Sequence, residues 1–154
     1  MSQLPAGVIT PDFQLKRLDG EVFRLSEEIA RGPIVLAFYK SSCPTCQLTF
    51  PLLERIHEER GSGVRIVAIS QDDAVETEEF IRRLGIRFDV VLEDHPYDVS
   101  MAYGIEHVPA IFVVGSDRSI QLSDYGFSKA TLSTIAEPLE LFRLDDGLPA
   151  TRPG

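Results

Sequence analysis

Short apolar runs alternate with amphipathic stretches along the chain, and this pattern predicts an α/β fold. Five runs are rich in β-forming residues, too short for helices and bounded by turn residues, so we expect strands at 34–39, 64–69, 88–92, 110–114 and 120–125. The run at 34–39 is apolar throughout, which is typical of a strand buried on both faces. Apolar residues on either side of Asp19-Gly20 predict a hairpin over residues 13–25.

Helical spacing and cap residues fill the intervals between these strands. Predicted helices begin at Ser26, at a pair of cysteines, at Asp73, at Val99 and at Ser128. Gly61, Gly85 and Gly104 are the predicted stops, and Pro138 should kink or interrupt the last helix. Strands that alternate with helices favour βαβ crossovers, a largely parallel sheet and helices on both of its faces.

Composition narrows the class of protein without naming an activity. The chain has 154 residues, 44% of them hydrophobic, which fits one domain over 1–154 with a core of about 8–142 and a loose tail at 145–154. A net charge of -9 disfavours nucleic acid and anionic membranes as partners. No apolar run is long enough for a membrane span, and no signal peptide is visible, so we expect a cytoplasmic protein unless a leader was trimmed.

Cysteine usage limits the candidate chemistry. The chain has two cysteines, Cys43 and Cys46, in a C-x-x-C motif. A disulfide scaffold needs more cysteines, and a structural zinc site needs four ligands, whereas only three scattered histidines (His57, His95 and His107) accompany the pair. We therefore expect no metal. Two interpretations remain: a redox pair, or two structural thiols that are close by chance.

The position of the pair between a buried strand and a helix favours redox chemistry. Pro44 suits the first helical position, which makes Cys43 the N-cap residue. The Cys43 sulfur then faces the backbone N–H groups of Thr45 and Cys46 and the positive end of the helix dipole, and both favour a thiolate. Cys46 lies one turn further on. We therefore predict that Cys43 is the nucleophile and Cys46 the buried resolving thiol.

Two prolines extend the candidate site. Pro51 lies inside the predicted helix, where it should bend the axis. Val108-Pro109 directly precedes the strand at 110–114, and a cis bond there would create a tight backbone feature beside the cysteines. The simpler interpretation is an ordinary kink proline and an ordinary strand-start proline.

Several segments together resemble a known superfamily over roughly residues 8–142. They are Thr10-Pro11-Asp12-Phe13-Gln14-Leu15, Leu18-Asp19-Gly20, the 34–39 strand, Cys43-Pro44-Thr45-Cys46 with Pro51, and the stretch from Tyr103-Gly104-Ile105 to Val108-Pro109 and the strand after it. The chain resembles the thioredoxin-like superfamily, in the branch of TlpA-type thiol–disulfide oxidoreductases and AhpC/TSA peroxiredoxins. The resemblance implies a central mixed sheet flanked by helices, an N-terminal β-hairpin and a βα insertion at residues 73–92.

The resemblance also implies an activity. It predicts a thiol–disulfide oxidoreductase that uses the Cys43–Cys46 pair and no other cofactor. Its partners would be a disulfide-bearing protein or small thiol, and an external electron donor. By the same resemblance Pro44, Thr45 and Pro109 support the pair, and Val108 and Tyr39 contact the substrate.

This sequence departs from the thioredoxin pattern at three points. The chain has no Trp, and Ser42 stands where thioredoxins usually have one before the first cysteine. Ala37 stands where they often have a buried Asp that assists proton transfer. Asp72 or Glu106 is a candidate substitute, although two solvated loop acids is the simpler interpretation.

Two other functions stay open. Cys43-Pro44-Thr45 echoes the peroxiredoxin motif, but Lys40 and Leu36 stand where peroxidatic sites usually place Thr and Pro, three and seven residues before the cysteine. A peroxiredoxin-like peroxidase is therefore the second hypothesis. The third is a binding module on the same scaffold with an idle cysteine pair.

Overall fold

The computed structural model describes residues 2–60, 65–136 and 151–152. The turn predicted at Gly61-Ser62-Gly63, the kink predicted at Pro138 and most of the predicted tail lie outside the described residues.

The elements follow the predicted order closely. The strands are β1 (Gln14–Arg17), β2 (Val22–Arg24), β3 (Ile34–Tyr39), β4 (Arg65–Ser70), β5 (Asp89–Leu92), β6 (Ala110–Val114), β7 (Ile120–Tyr125), β8 (Phe127–Ser128) and β9 (Thr151–Arg152). The helices are α1 (Leu25–Glu28), α2 (Pro44–Arg60), α3 (Ala74–Leu84), α4 (Asp98–Ala102) and α5 (Lys129–Ala136), with a 3-10 turn at Ile29–Arg31. No helix among these residues is both long and apolar enough to cross a membrane.

The central sheet is mixed, with strand order β2-β1-β5-β4-β3-β6-β7. Only the pairs β3–β4 and β4–β5 are parallel, so the prediction of a largely parallel sheet is wrong. The other four pairs, β1–β2, β1–β5, β3–β6 and β6–β7, are antiparallel. Short turns account for β1–β2 and β6–β7, whereas β1–β5 and β3–β6 join segments that are distant in sequence. The mixed sheet and the N-terminal hairpin agree with what the family resemblance implies.

Most of the predicted caps are present, and one is misplaced. Asp73 accepts the Glu76 backbone N–H at 2.8 Å, and Gly85 ends α3 with φ 66°. Ser26 is not a cap, since Arg24 occupies the N-cap position of α1. The Ser26 backbone N–H donates instead to Asp12 at 2.8 Å. The Asp12 carboxylate therefore accepts a backbone N–H at the start of α1, where the Ser26 side chain was expected to cap the helix.

Strand β3 separates two buried clusters and leads into the segment that holds the cysteine pair. All six of its side chains are buried, as predicted. Alternate residues face opposite sides of the sheet, so that Phe38 joins one buried cluster and Tyr39 joins the other, together with Cys46. The carboxyl end of β3 leads directly into the cysteine pair.

Candidate redox site

Cys43 lies immediately before the first residue of α2, as the motif predicts. Pro44 is that first residue, and the Gln47 backbone N–H donates to the Cys43 carbonyl at 3.1 Å, which closes the first helical turn. The Cys46 backbone N–H donates to Cys43 Sγ at 3.2 Å. The predicted contact between the sulfur and an unpaired N–H group of the helix is therefore present.

The Cys43 sulfur also contacts the loop that precedes β6. Its thiol donates to the Val108 carbonyl oxygen at an Sγ···O distance of 3.4 Å, and the Val108–Pro109 bond is cis. Only the protonated sulfur can make this bond, whereas a thiolate gains from the Cys46 N–H. The Val108 carbonyl therefore stabilises the thiol, and the Cys46 N–H stabilises the thiolate, of the half-exposed residue Cys43.

Cys46 has a different environment. Its side chain is fully buried, and both cysteines are free thiols in this structure. Burial raises the pKa of the Cys46 thiol, because the charged form loses its hydration, and the neighbouring Cys43 and Asp72 raise it further while the Lys40 backbone opposes them. Cys46 stays protonated until a reaction draws its proton away.

The predicted substrate contact of Tyr39 stays a prediction, and in this structure the side chain is shielded from solvent. Its side chain is 0% exposed, with the ring centroid 4.6 Å from those of both Phe50 and Phe80. Burial raises the pKa of Tyr39, and the Ser70 hydroxyl opposes that shift. The ring belongs to the wall behind Cys46, because residue 39 points inward at the end of an alternating strand.

Asp72 contacts the segment that leads into the cysteine pair, and its role in proton transfer stays a prediction. It is half-buried, and its Oδ2 accepts the Ser41 backbone N–H at 2.7 Å. Gln47 Nε2 donates to the Ser41 carbonyl at 2.8 Å. Ser41 is thus held from both sides, directly before the cysteines. The Asp72 contact has no signal in the sequence, since Asp72 follows a different strand. The other candidate acid, Glu106, is exposed.

The two positions that peroxidatic sites usually use lie in different environments. Leu36 is fully buried in the core, and Lys40 is exposed. Thr45, in the Cys43-Pro44-Thr45 segment that is similar to the peroxiredoxin motif, is 5% exposed. Pro51 lies inside α2, as predicted.

The histidines lie apart from one another. Each packs its ring against a different aromatic residue: His57 against Phe88, His95 against Tyr97 and His107 against Tyr125. Within residues 2–60, 65–136 and 151–152, no three His, Cys, Asp or Glu side chains gather as metal ligands.

A second cis bond, at His95–Pro96, has no counterpart in the predictions. It borders a cleft of about 800 Å³ at the carboxyl ends of β4 and β5, which Asp72 also lines. The cysteine pair and this cleft therefore share one edge of the sheet, but no cysteine lines the cleft.

A C-x-x-C pair at the start of a helix, beside a cis-proline loop and on a mixed sheet, defines the thioredoxin-like class of fold. Comparison with known proteins agrees. The profile of the AhpC/TSA family matches residues 6–123, and the chain belongs to that family. A crystal structure of a thiol:disulfide interchange protein from Chlorobium tepidum superimposes with a TM-score of 0.71 at 20% identity, covering 88% of this chain and 97% of that one.

Curated relatives match the chain at higher sequence identity. The thiol-disulfide oxidoreductase ResA of Halalkalibacterium halodurans is 31% identical over 117 residues, covering 75% of this chain and 65% of ResA. The thiol:disulfide interchange protein DsbE of Haemophilus influenzae is 28% identical over 112 residues, covering 72% of this chain and 58% of DsbE. This chain thus spans just under two thirds of the length of these relatives.

Proposed function

We propose that this protein is a thiol–disulfide oxidoreductase in which Cys43 and Cys46 are the reacting groups. One observation carries the proposal: a half-exposed sulfur receives a helix N–H at 3.2 Å, one turn before a fully buried thiol. The names of the ResA and DsbE relatives support the same activity.

The reaction has two exchange steps. The Cys43 thiolate attacks one sulfur of the partner disulfide, forming a mixed disulfide, and the other partner sulfur leaves and takes up a proton. Cys46 then loses its proton and attacks Cys43 Sγ, which releases the second partner sulfur as a thiol. The partner gains two electrons and two protons, and a Cys43–Cys46 disulfide forms. An external dithiol returns the pair to its reduced state.

Neighbouring residues support the two steps. Pro44 suits the first helical position, where no N–H partner is needed, and the Cys46 N–H donates to the Cys43 sulfur at 3.2 Å. The loop at Val108 and Pro109 supplies a carbonyl 3.4 Å from Cys43 Sγ, which holds the resting thiol. We propose that the partner chain passes along this loop while it is joined to Cys43.

Disulfide turnover and reduction potential test this proposal. With dithiothreitol as donor, the protein should reduce a protein disulfide such as that of insulin well above the uncatalysed rate. A potential near the cytosolic glutathione value of about -220 to -260 mV, or below it, would identify a reductant, and one near about -120 mV an oxidant. Peroxide consumption far faster than disulfide reduction would contradict the proposal and favour the peroxidase. A pair that stays reduced in every glutathione buffer would favour the binding module.

A further inference from the structure

The side chain of Gln47 bonds to the turn that carries Cys43, although it has no part in the exchange steps. Gln47 lies in the first turn of α2, directly after Cys46. Its Nε2 donates to the Ser41 carbonyl at 2.8 Å, and the side chain is half-buried. This bond connects the start of the helix to the segment before the reacting cysteine.

The Ser41 backbone is bonded by side chains from two separate elements. Its N–H donates to Asp72 Oδ2 at 2.7 Å, while its carbonyl accepts from Gln47. Asp72 belongs to the segment after β4, and Gln47 belongs to α2. Both polar groups of this backbone residue therefore have a side-chain partner. We call the two bonds, from Asp72 and Gln47 to Ser41, the Ser41 clamp.

Backbone hydrogen bonds connect the Ser41 clamp to Cys43. The Cys43 N–H donates to the Lys40 carbonyl at 3.2 Å, and the Gln47 N–H donates to the Cys43 carbonyl at 3.1 Å. The Lys40 carbonyl and the Ser41 N–H belong to one peptide unit. The Asp72 carboxylate polarises that unit and strengthens the bond that it accepts from Cys43. Cys43 is thus bonded on both sides of its Cα to groups that the clamp holds.

The position of the Cys43 sulfur depends on this turn. The sulfur accepts the Cys46 N–H at 3.2 Å, and it belongs to a residue only two positions after Ser41. A thiolate gains from such an N–H, and a hydrogen bond weakens steeply when its distance and angle depart from the bonded geometry. Movement of the turn would therefore reduce the stabilisation of the Cys43 thiolate.

We propose that Gln47 is a positioning residue for Cys43, because its bond to the Ser41 carbonyl keeps the Cys43 sulfur in contact with the Cys46 N–H. The proposal rests on the proposed function and deepens it, by adding a side chain on which the reactivity of the same site depends. Gln47 itself takes up no electron or proton in the exchange steps.

Two consequences distinguish this role from a general contribution to folding. Without the Gln47 bond, the Cys43 thiolate loses stabilisation, so that its attack on a disulfide or an alkylating agent should be slower. Only the reduced pair carries this thiolate, and the oxidised pair gains nothing from the contact. Loss of the bond should therefore make the pair a stronger reductant, which a change in folding stability alone would not do.

Gln47→Met tests the proposal, because Met keeps the length and helix propensity of Gln but has no N–H donor. In a Cys46→Ser background, Cys43 is the sole cysteine, and its alkylation by iodoacetamide at pH 6 depends on the thiolate. Gln47→Met should slow this alkylation roughly three- to tenfold, the range expected for one hydrogen bond. In the chain with both cysteines, the equilibrium with glutathione should shift by a similar factor, which is a fall in potential of about 14–30 mV.

A second variant and a matched control complete the test. Gln47→Ala removes the same donor with a smaller side chain and should give the same two shifts. Glu58 lies on the same helix, exposed and about three turns further on, and Glu58→Met should change neither the alkylation rate nor the potential. Urea unfolding of each variant confirms that the fold is retained.

The outcomes separate the role of Gln47 from the proposed function. Wild-type alkylation rates and potentials in both Gln47 variants would overturn the proposal, as would a potential that shifts in the oxidising direction. If the wild-type pair exchanges with neither glutathione nor hydroxyethyl disulfide, the proposed function fails. The alkylation rates in the Cys46→Ser background would then still show whether Gln47 positions the Cys43 sulfur.

Discussion

Cys43 and Cys46 are the same residue type on one helical turn, yet their surroundings have little in common. Cys43 is half-exposed, and its sulfur has one backbone donor and one backbone acceptor within 3.4 Å. Cys46 is fully buried behind it, against a wall of aromatic side chains that includes Tyr39 and Phe50.

Position in the fold, rather than residue type, is therefore the basis of the two roles that we propose. An attacking thiol has to meet a partner and gains from the helix N-terminus. A resolving thiol has to wait, protonated, until the mixed disulfide has formed. Burial keeps the Cys46 thiol protonated, because the charged form would lose its hydration.

The strongest test removes each sulfur in turn. Cys43→Ser should lose all disulfide exchange above background, because the one cysteine that remains, Cys46, is fully buried. Cys46→Ser should keep the first step and accumulate a mixed disulfide at Cys43, since the resolving thiol is missing. Intact-protein mass spectrometry after mixing with a disulfide substrate measures both. If Cys43→Ser traps a partner as well as Cys46→Ser does, the assigned roles are reversed.

A second test opens the wall behind Cys46. Phe80, in α3, is 3% exposed, and its ring centroid lies 4.6 Å from that of Tyr39. Phe80→Ala should lower the free energy of unfolding by about 3–5 kcal/mol, through lost burial and the cavity left behind. Urea unfolding measures this loss, and alkylation by iodoacetamide should accelerate at Cys46 more than at Cys43.

The exposed residue Val22 provides the control for this experiment. Val22→Ala should change the free energy of unfolding by no more than about 0.5 kcal/mol and should leave alkylation unchanged. An equal acceleration at both cysteines in Phe80→Ala would mean that general loosening, not the wall, sets the access to Cys46.

A third test measures the titration of Cys46 directly. In Cys43→Ser the remaining cysteine can be labelled with carbon-13, and its Cβ chemical shift reports ionisation. Burial is the largest cause of the raised pKa, and it persists without Cys43, so the midpoint should stay above the ordinary thiol value of 9.0. The urea-unfolded variant should titrate close to that ordinary value. A native midpoint at or below it would contradict the assigned environment.

The free energy of unfolding should depend on pH for the same reason, the raised pKa of Cys46. The folded state keeps Cys46 protonated, while the unfolded chain ionises it freely. Because the folded pKa lies above the unfolded one, this contribution to stability is present below about pH 9 and declines as the pH rises further. Tyr39 acts in the same direction, since burial raises its pKa as well. Unfolding in urea at pH 8 and pH 10 should therefore show lower stability at the higher pH.

The sequence was sufficient for the parts of this site that are local. The order of strands and helices, the start of α2 at Pro44 and the N–H contact to Cys43 all follow from residues close together in the chain. Contacts between distant segments were not predictable. Asp72 reaches Ser41 from the end of another strand, and the rings of Tyr39 and Phe80 meet although they come from different elements. The prediction of a largely parallel sheet was wrong for the same reason, because strand direction depends on contacts between distant segments.

The smallest expected effect comes from Asp72. Its carboxylate holds Ser41 at 2.7 Å, and its negative charge is one of the lesser causes that raise the pKa of Cys46. Asp72→Asn keeps an oxygen that can accept the Ser41 N–H but removes the charge. The Cys46 pKa should therefore fall by a fraction of a pH unit, and release of the second partner thiol should become severalfold faster at constant pH. Asp73→Asn, at the N-cap of α3, is the control, since Asp73 is not among the groups that shift Cys46. Slower release in Asp72→Asn would assign Asp72 a different role, as the acceptor of the Cys46 proton.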